Sequence, residues 1–169
     1  MQITREYIGF SKVKYIIEYN DTDEFGSLDY SKCQQTYGVC FYGDKLVIGF
    51  GGRKHDWGLI GGTIEKGESF EETLLREIQE ESNMKVLLAK PIGYQKVIDT
   101  RDNTFIYQLR YACLVEPYGP FVSDPAGGVT EIKLINPADI KKYFDWGEIM
   151  DRMLESAVEV LSNIDLQHK

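Results

Sequence analysis

The chain has 169 residues, of which 43% are hydrophobic, 12% aromatic and 27% charged, a composition that supports one folded core and leaves little room for extended disorder. Its formal net charge of -8 weighs against partners held by charge alone, such as nucleic acid or an anionic membrane surface. The longest run without a charged residue, Cys33 to Gly43, is far short of the roughly 18 to 20 apolar residues that span a bilayer, so no membrane segment is expected.

The N-terminus, MQITREYIGF, places Arg5 and Glu6 where a signal peptide needs its apolar run. Three widely spaced cysteines, Cys33, Cys40 and Cys113, fit reduced thiols better than a disulfide framework or a zinc site. Together these features lead to the expectation of a cytoplasmic protein.

KVKYIIEY, from Lys12 to Tyr19, alternates as a strand does, and Asn20 to Asp29 is a polar link. TYGVCFY, Gly43-Asp44 and KLVIGFGG together predict a β-hairpin. Arg53 to Asp56 is a polar loop, WGLI a short apolar run, and Gly61-Gly62 a place where the backbone turns freely. Ser69 and Glu72 fit a capping box, and Phe70, Leu74, Leu75 and Ile78 form an apolar stripe, so a helix is predicted over 70–82.

Beyond that helix, apolar runs at 86–88 and 92–98, a turn at Arg101-Asp102-Asn103 and the run FIYQLRYACLV over 105–115 predict further strands. Residues 117–128, rich in proline and glycine, read as a loop long enough to serve a function. TEIKLI over 130–135 is one more strand, Asn136-Pro137 a helix start, and about 147–162 an amphipathic C-terminal helix. No internal repeat or low-complexity tract is present.

The chemistry concentrates on the predicted helix. At 100° per residue, Glu77, Glu80 and Glu81 fall within about 100° of one another on one side of it. Like charges so close repel, and a hard divalent cation such as Mg²⁺, which prefers oxygen ligands, would relieve them. Arg76 lies four residues before Glu80, where it can brace that carboxylate. A solvated acidic face is the ordinary alternative. The wider pattern counts against it: Gly62, then Glu68, then Arg76-Glu77-Ile78-Gln79-Glu80-Glu81 at these spacings would arise by chance on the order of once in ten thousand chains of this size.

This pattern resembles the signature of the Nudix hydrolases, in which a glycine and a glutamate precede Arg-Glu-aliphatic-x-Glu-Glu-x-Gly-aliphatic. The chain departs from it at Asn83, which stands where the family has its late glycine, and at Ile60, where many members have proline. Asn tolerates a left-handed helix cap, so neither change touches the carboxylates. Trp57-Gly58-Leu59, the preceding hairpin and the Asn136-Pro137 step extend the resemblance over about 35–140. Residues 1–34 form an N-terminal extension outside it.

The resemblance implies an α+β fold in one domain, a mixed sheet sandwiched between helices as α/β/α, with a loop-helix-loop that builds the metal site. It implies Glu77, Glu80 and Glu81 as metal ligands, with the Gly61 carbonyl as a further one. Glu68 would support the site and Arg76 orient a glutamate. Glu131, after the loop that precedes a late strand, is where many members carry another acidic residue. Glu80 or Glu131 would take a proton from the attacking water. The implied cofactor is Mg²⁺, with Mn²⁺ as an alternative.

The implied reaction is hydrolysis of a nucleoside diphosphate linked to another group, with a nucleoside triphosphate as the default substrate. Nucleotide sugars, ADP-ribose and dinucleoside polyphosphates are alternatives, as is the triphosphate end of RNA, which the acidic balance disfavours. A sensor of this fold that binds a nucleotide without turnover is the reading from another class. Tyr42, Tyr94, Phe105 and Tyr107 are candidates for stacking on a base, and Trp57 is expected to pack beneath the signature loop. Arg53 and Lys54 lie where they can touch a phosphate. His55 and His168 are too few and too far apart for a metal cluster. The N-terminal extension could add a strand to the sheet or to a partner, which leaves a homodimer open.

Overall fold

The computed structural model describes residues 2–9, 11–52 and 55–167. Its elements in chain order are β1 (Gln2–Ile8), β2 (Lys14–Asp21), β3 (Cys33–Tyr42), β4 (Lys45–Gly51), β5 (Asp56–Gly58), β6 (Ile60–Thr63), α1 (Phe70–Ser82), β7 (Met84–Asp99), β8 (Phe105–Pro117), β9 (Val129–Ile135) and α2 (Glu148–Gln167). No helix among the described residues is long and apolar enough to cross a membrane.

The strands form one mixed sheet in the order β1-β2-β7-β8-β3-β4-β5, with β6 beside β3 and β9 beside β4. Only β3 and β8 run parallel; the other pairs are antiparallel. The predicted hairpin exists, but β3 and β4 pair only at Phe41 with Leu46 and Tyr42 with Lys45. The rest of β3 faces β6, so that Gly61 lies opposite Tyr37. That register seats the glycine pair next to the helix carrying the glutamates.

The sheet separates two cores. On one face, Leu74 and Ile78 of α1 pack with Cys40, Val47, Ile60, Leu109 and Cys113. On the other, Ile149, Met150, Met153 and Ala157 of α2 pack with Val39, Ile48 and Ala112. The alternation of β3 and β8 supplies both cores at once, as period-two strands buried on both sides must. This is the expected mixed sheet between helices.

Helix α1 spans 70–82, as its sequence predicts. Ser69 Oγ accepts the Glu72 N–H at 3.1 Å, the acidic residues of the first turn complement the helix dipole, and Asn83 closes the helix in the left-handed conformation (φ 55°, ψ 40°). The capping box is half formed, because among the described residues Glu72 makes no return bond to Ser69.

The two apolar runs at 86–88 and 92–98 are one continuous strand, β7. Irregularities between Val86 and Leu88 and between Pro91 and Gly93 let it continue past Pro91, which has no N–H to donate. The N-terminal extension adds two strands: β1 is an element that the sequence reading did not assign, and β2 joins it to β7. Asn136 starts a 3-10 helix over Pro137–Lys142, accepting the Ala138 N–H at 3.1 Å. The C-terminal helix begins near the expected point and runs longer than expected.

Candidate active site

The signature residues come together at the end of β6 and along one side of α1, and Arg76 is their hub. Its Nε and Nη2 donate to Glu68 Oε2 and Oε1 at 2.7 and 2.9 Å, a two-point grip on one carboxylate. Nη1 donates to Glu77 at 3.0 Å and to Glu80 at 3.3 Å, and Nη2 also to the Thr63 carbonyl at 3.1 Å. One guanidinium therefore ties the loop before α1 to the glutamates on it. Glu68 is bound further by the Glu65 N–H and the Thr73 hydroxyl.

These contacts divide the carboxylates electrostatically. Hydrogen bonding from Arg76 pulls the Glu68 carboxyl down to about 2. Burial pushes Glu77 up despite Arg76, and pushes Glu81 up to about 8, where the charges of Glu77, Asp124 and Glu80 add to the rise. The single bond that opposes this is from the Gly61 N–H to Glu81 Oε2, at 3.1 Å.

Gly61 and Gly62 leave no room for side chains. A Cβ on Gly62 would lie 2.6 and 2.7 Å from the Glu77 oxygens, and one on Gly61 would collide with the Thr36 carbonyl and with Tyr37. The glycine pair thus lets the strand run against the helix's acidic face.

The donor set fits a hard divalent cation. Glu77, Glu80 and Glu81 lie together on α1, and the charge of Asp124 acts on Glu77 and Glu81; among the described residues Arg76 is the one cation in hydrogen-bond contact with these glutamates, and the half-buried Glu81 has no cationic partner among them. Among the described residues, no three acidic, histidine or cysteine side chains already converge as a closed metal cage. Mg²⁺ commonly takes one or two carboxylates and completes its shell with water and substrate oxygens.

Asp124 was not singled out in the sequence. It is 7% exposed in the loop before β9, accepts the N–H groups of Ala126, Gly128 and Val129 at 2.8 to 3.0 Å, and its charge raises both Glu77 and Glu81. The Asp-Pro-Ala-Gly-Gly run is a legible turn signal, though the turn's approach to α1 depends on tertiary structure. Glu131 stands opposite Phe50 on β9 and is exposed.

A cleft of about 930 Å³ opens on the α2 face of the sheet. Its walls include Tyr7 and Tyr15 of the N-terminal hairpin, Tyr37, Trp57 and Tyr143, and its floor Gln35, Gln95, Gln108 and Arg110. Trp57 belongs to this cleft, packed on Phe50 and Tyr143 with ring centroids at 5.3 and 5.5 Å, and so does not lie beneath the signature loop as expected. Tyr107 packs edge to edge on Tyr94 and on Phe105, and none of the three lines the cleft; nor does Tyr42, at the exposed end of β3. Arg53, Lys54 and His168 lie outside the described residues.

The model of the NUDIX domain matches residues 34–156, which takes in the acidic helix, the glycine pair, the loop with Asp124 and the start of α2. With most of its length matched, the chain belongs to the Nudix hydrolase family, enzymes acting on phosphoanhydride bonds. Among solved structures it is similar to a mutant of the Bacillus subtilis pyrophosphohydrolase BsRppH, at 17% identity and a TM-score of 0.69 over 92% of this chain and 97% of that one. It also resembles a Nudix hydrolase from Nitrosomonas europaea, at 16% identity and a TM-score of 0.61 over 74% and 88%. The NUDIX domain of Shewanella oneidensis NrtR, solved with ADP-ribose, aligns at 22% identity and a TM-score of 0.52 over 81% and 96%. At these identities the likeness is one of fold. A search of curated proteins finds no match.

Proposed function

We propose that this protein is a metal-dependent pyrophosphohydrolase that cleaves a nucleoside diphosphate linked to another group, with a nucleoside triphosphate as the preferred substrate. The observation that carries this reading is a single row across the sheet. Gly61 of β6, Tyr37 of β3 and Arg110 of β8 are paired in register, so the backbone N–H that holds Glu81 and the strand that carries the cleft's Arg110 lie two strand spacings apart, about 10 Å. Tyr37 joins them: it lines the cleft, and its phenol responds to Arg110 as well as to Glu81 and Glu77. A nucleoside polyphosphate can bridge that span with its base in the aromatic cleft and its phosphates at the carboxylates.

Glu77, Glu80 and Glu81 would hold Mg²⁺ or Mn²⁺, with the Gly61 carbonyl as a further ligand. Such an ion, when bound, neutralises phosphate oxygens and lowers the pKa of a coordinated water. Arg76 and Glu68 fix the ligands in place, and Gly61 N–H holds Glu81. Glu80 is the group we assign to take the water's proton: it belongs to the cluster, and its bond to Arg76, at 3.3 Å, is the longer of the two that Nη1 makes. Asp124 adds negative charge that favours an ion.

The test is turnover of nucleoside triphosphates, nucleotide sugars, ADP-ribose and dinucleoside polyphosphates with Mg²⁺, Mn²⁺ or EDTA. Metal-dependent cleavage with triphosphates fastest is expected. Cleavage confined to ADP-ribose or a nucleotide sugar would reject the substrate assignment, and tight binding without any turnover would make the protein a nucleotide sensor.

A further inference from the structure

Arg110 is a buried cation without an anion. It is 2% exposed, its Nη1 donates to the carbonyl of its own neighbour Leu109 and its Nη2 to Gln108 Oε1, both at 3.3 Å, and its Nε has no partner. No carboxylate among the described residues pairs with it. Tyr19, whose charge state also responds to Arg110, does not supply the missing acceptor, since its Oη is itself unpartnered. The Tyr37 ring, 4.8 Å from the guanidinium carbon, offers partial compensation. A dehydrated donor without an acceptor destabilises a fold, so Nε is a group that a bound water or a ligand in the cleft would complete.

The neighbours indicate which ligand. Gln95 Nε2 donates to Gln108 Oε1 at 3.2 Å, and Gln108 Nε2 to Gln35 Oε1 at 2.6 Å. A guanidinium only donates, so Arg110 holds the Gln108 oxygen towards itself and turns that amide's nitrogen to Gln35. The amide nitrogen of Gln35 is then left as a donor at the end of the chain. All four side chains line the aromatic cleft. Paired guanidinium donors in a flat, ring-walled space match two neighbouring acceptors in one plane, as O6 and N7 of a 6-keto purine are. Adenine presents an amino donor in place of O6, donor against donor.

We infer that Arg110, oriented by Gln108 and Gln35, reads the base of the substrate and selects a purine with a carbonyl at position six over adenine. This rests on the reading that the cleft holds the nucleoside. A bare anion fits the surroundings less well, because the phosphates belong with the carboxylate cluster beyond Tyr37 and the walls here are rings.

Calorimetric binding of IMP and AMP, which exchange a carbonyl for an amino group at that position, tests it independently of turnover. The wild type should favour IMP by about tenfold or more. Arg110→Met and Arg110→Lys should each bring the two within about twofold, and Arg110→Met should melt at or above the wild-type temperature, as removal of an uncompensated buried charge predicts. If Arg110→Met does not fold, Arg110→Lys, which keeps charge and bulk but loses the planar fork, decides. Equal binding by the wild type, or a preference retained in the variants, would overturn the inference. So would a loss that disappears when inosine and adenosine replace the monophosphates, since the arginine would then be holding phosphate. Turnover without a keto preference would leave the hydrolase standing and remove this inference; a keto preference without turnover would do the reverse.

Discussion

Glu81 combines the strongest burial effect in the cluster with the place of a proposed metal ligand. Its carboxyl, pushed up to about 8 against an ordinary 4.5, holds a proton in the metal-free fold that it releases in the unfolded chain over that interval. The folded state therefore binds more protons, and the stability of the metal-free protein should fall as pH rises from about 4.5 to 8, by a few kcal/mol at most. Urea unfolding in EDTA at pH 5.5 and 8.5 measures this, and Glu81→Gln should flatten the difference. Added Mg²⁺ should stabilise more at the higher pH, where no proton has to be displaced. Gly62 sets a second constraint. Its substitution by Ala would push a methyl into the Glu77 carboxylate, so kcat/KM should drop about 100-fold with the circular dichroism spectrum unchanged. Arg76 and the three glutamates after it were legible as a cluster because their spacing is local to one helix. Asp124 was hidden by distance along the chain, and Arg110, a lone charge inside the run of β8, was read only as part of a strand, because nothing local in the sequence marks the cleft it lines.

At the level of elements, the end of α1 is joined to the loop that carries Asp124. Asn83 adopts the left-handed cap, and its side chain donates to the Pro120 carbonyl at 3.1 Å while its own carbonyl accepts the Tyr118 N–H at 3.0 Å. A glycine in this place could cap the helix but could not make the side-chain bond, which gives a physical use to the departure from the family signature. Asn83→Ala should lose about 1–2 kcal/mol of stability, from left-handed strain and the missing bond, as chemical denaturation would record. Helix α1 was readable to the residue because its cap, first turn and apolar stripe agree. The β7 strand was not, since Pro91 reads locally as a break and only pairing with β8 carries the strand through. β1 escaped for a related reason: seven residues alternating at a chain terminus give little signal until β2 lies beside them.

Across the whole molecule, the sheet acts as a partition and a ruler. One face seats α1, the other seats α2 and the cleft, and the row from Gly61 through Tyr37 to Arg110 spaces the strand that holds Glu81 from the strand under the cleft. The cleft draws residues from the N-terminal hairpin, β3, β5, β7, β8 and the segment before α2, so no stretch of sequence displays it. The hairpin lies outside the matched family region, yet Arg5, Tyr7, Tyr15 and Ile17 form one of its walls. Metal chemistry at the signature is the claim on which the rest depends. Phosphate and pyrophosphate release from nucleoside triphosphates, with Mg²⁺ present, should be measured for the wild type beside Glu81→Gln. Turnover that EDTA abolishes and that the substitution lowers by at least about 100-fold, without unfolding the protein, is the expected result; equal turnover by both proteins would mean that the signature glutamates do not hold the metal.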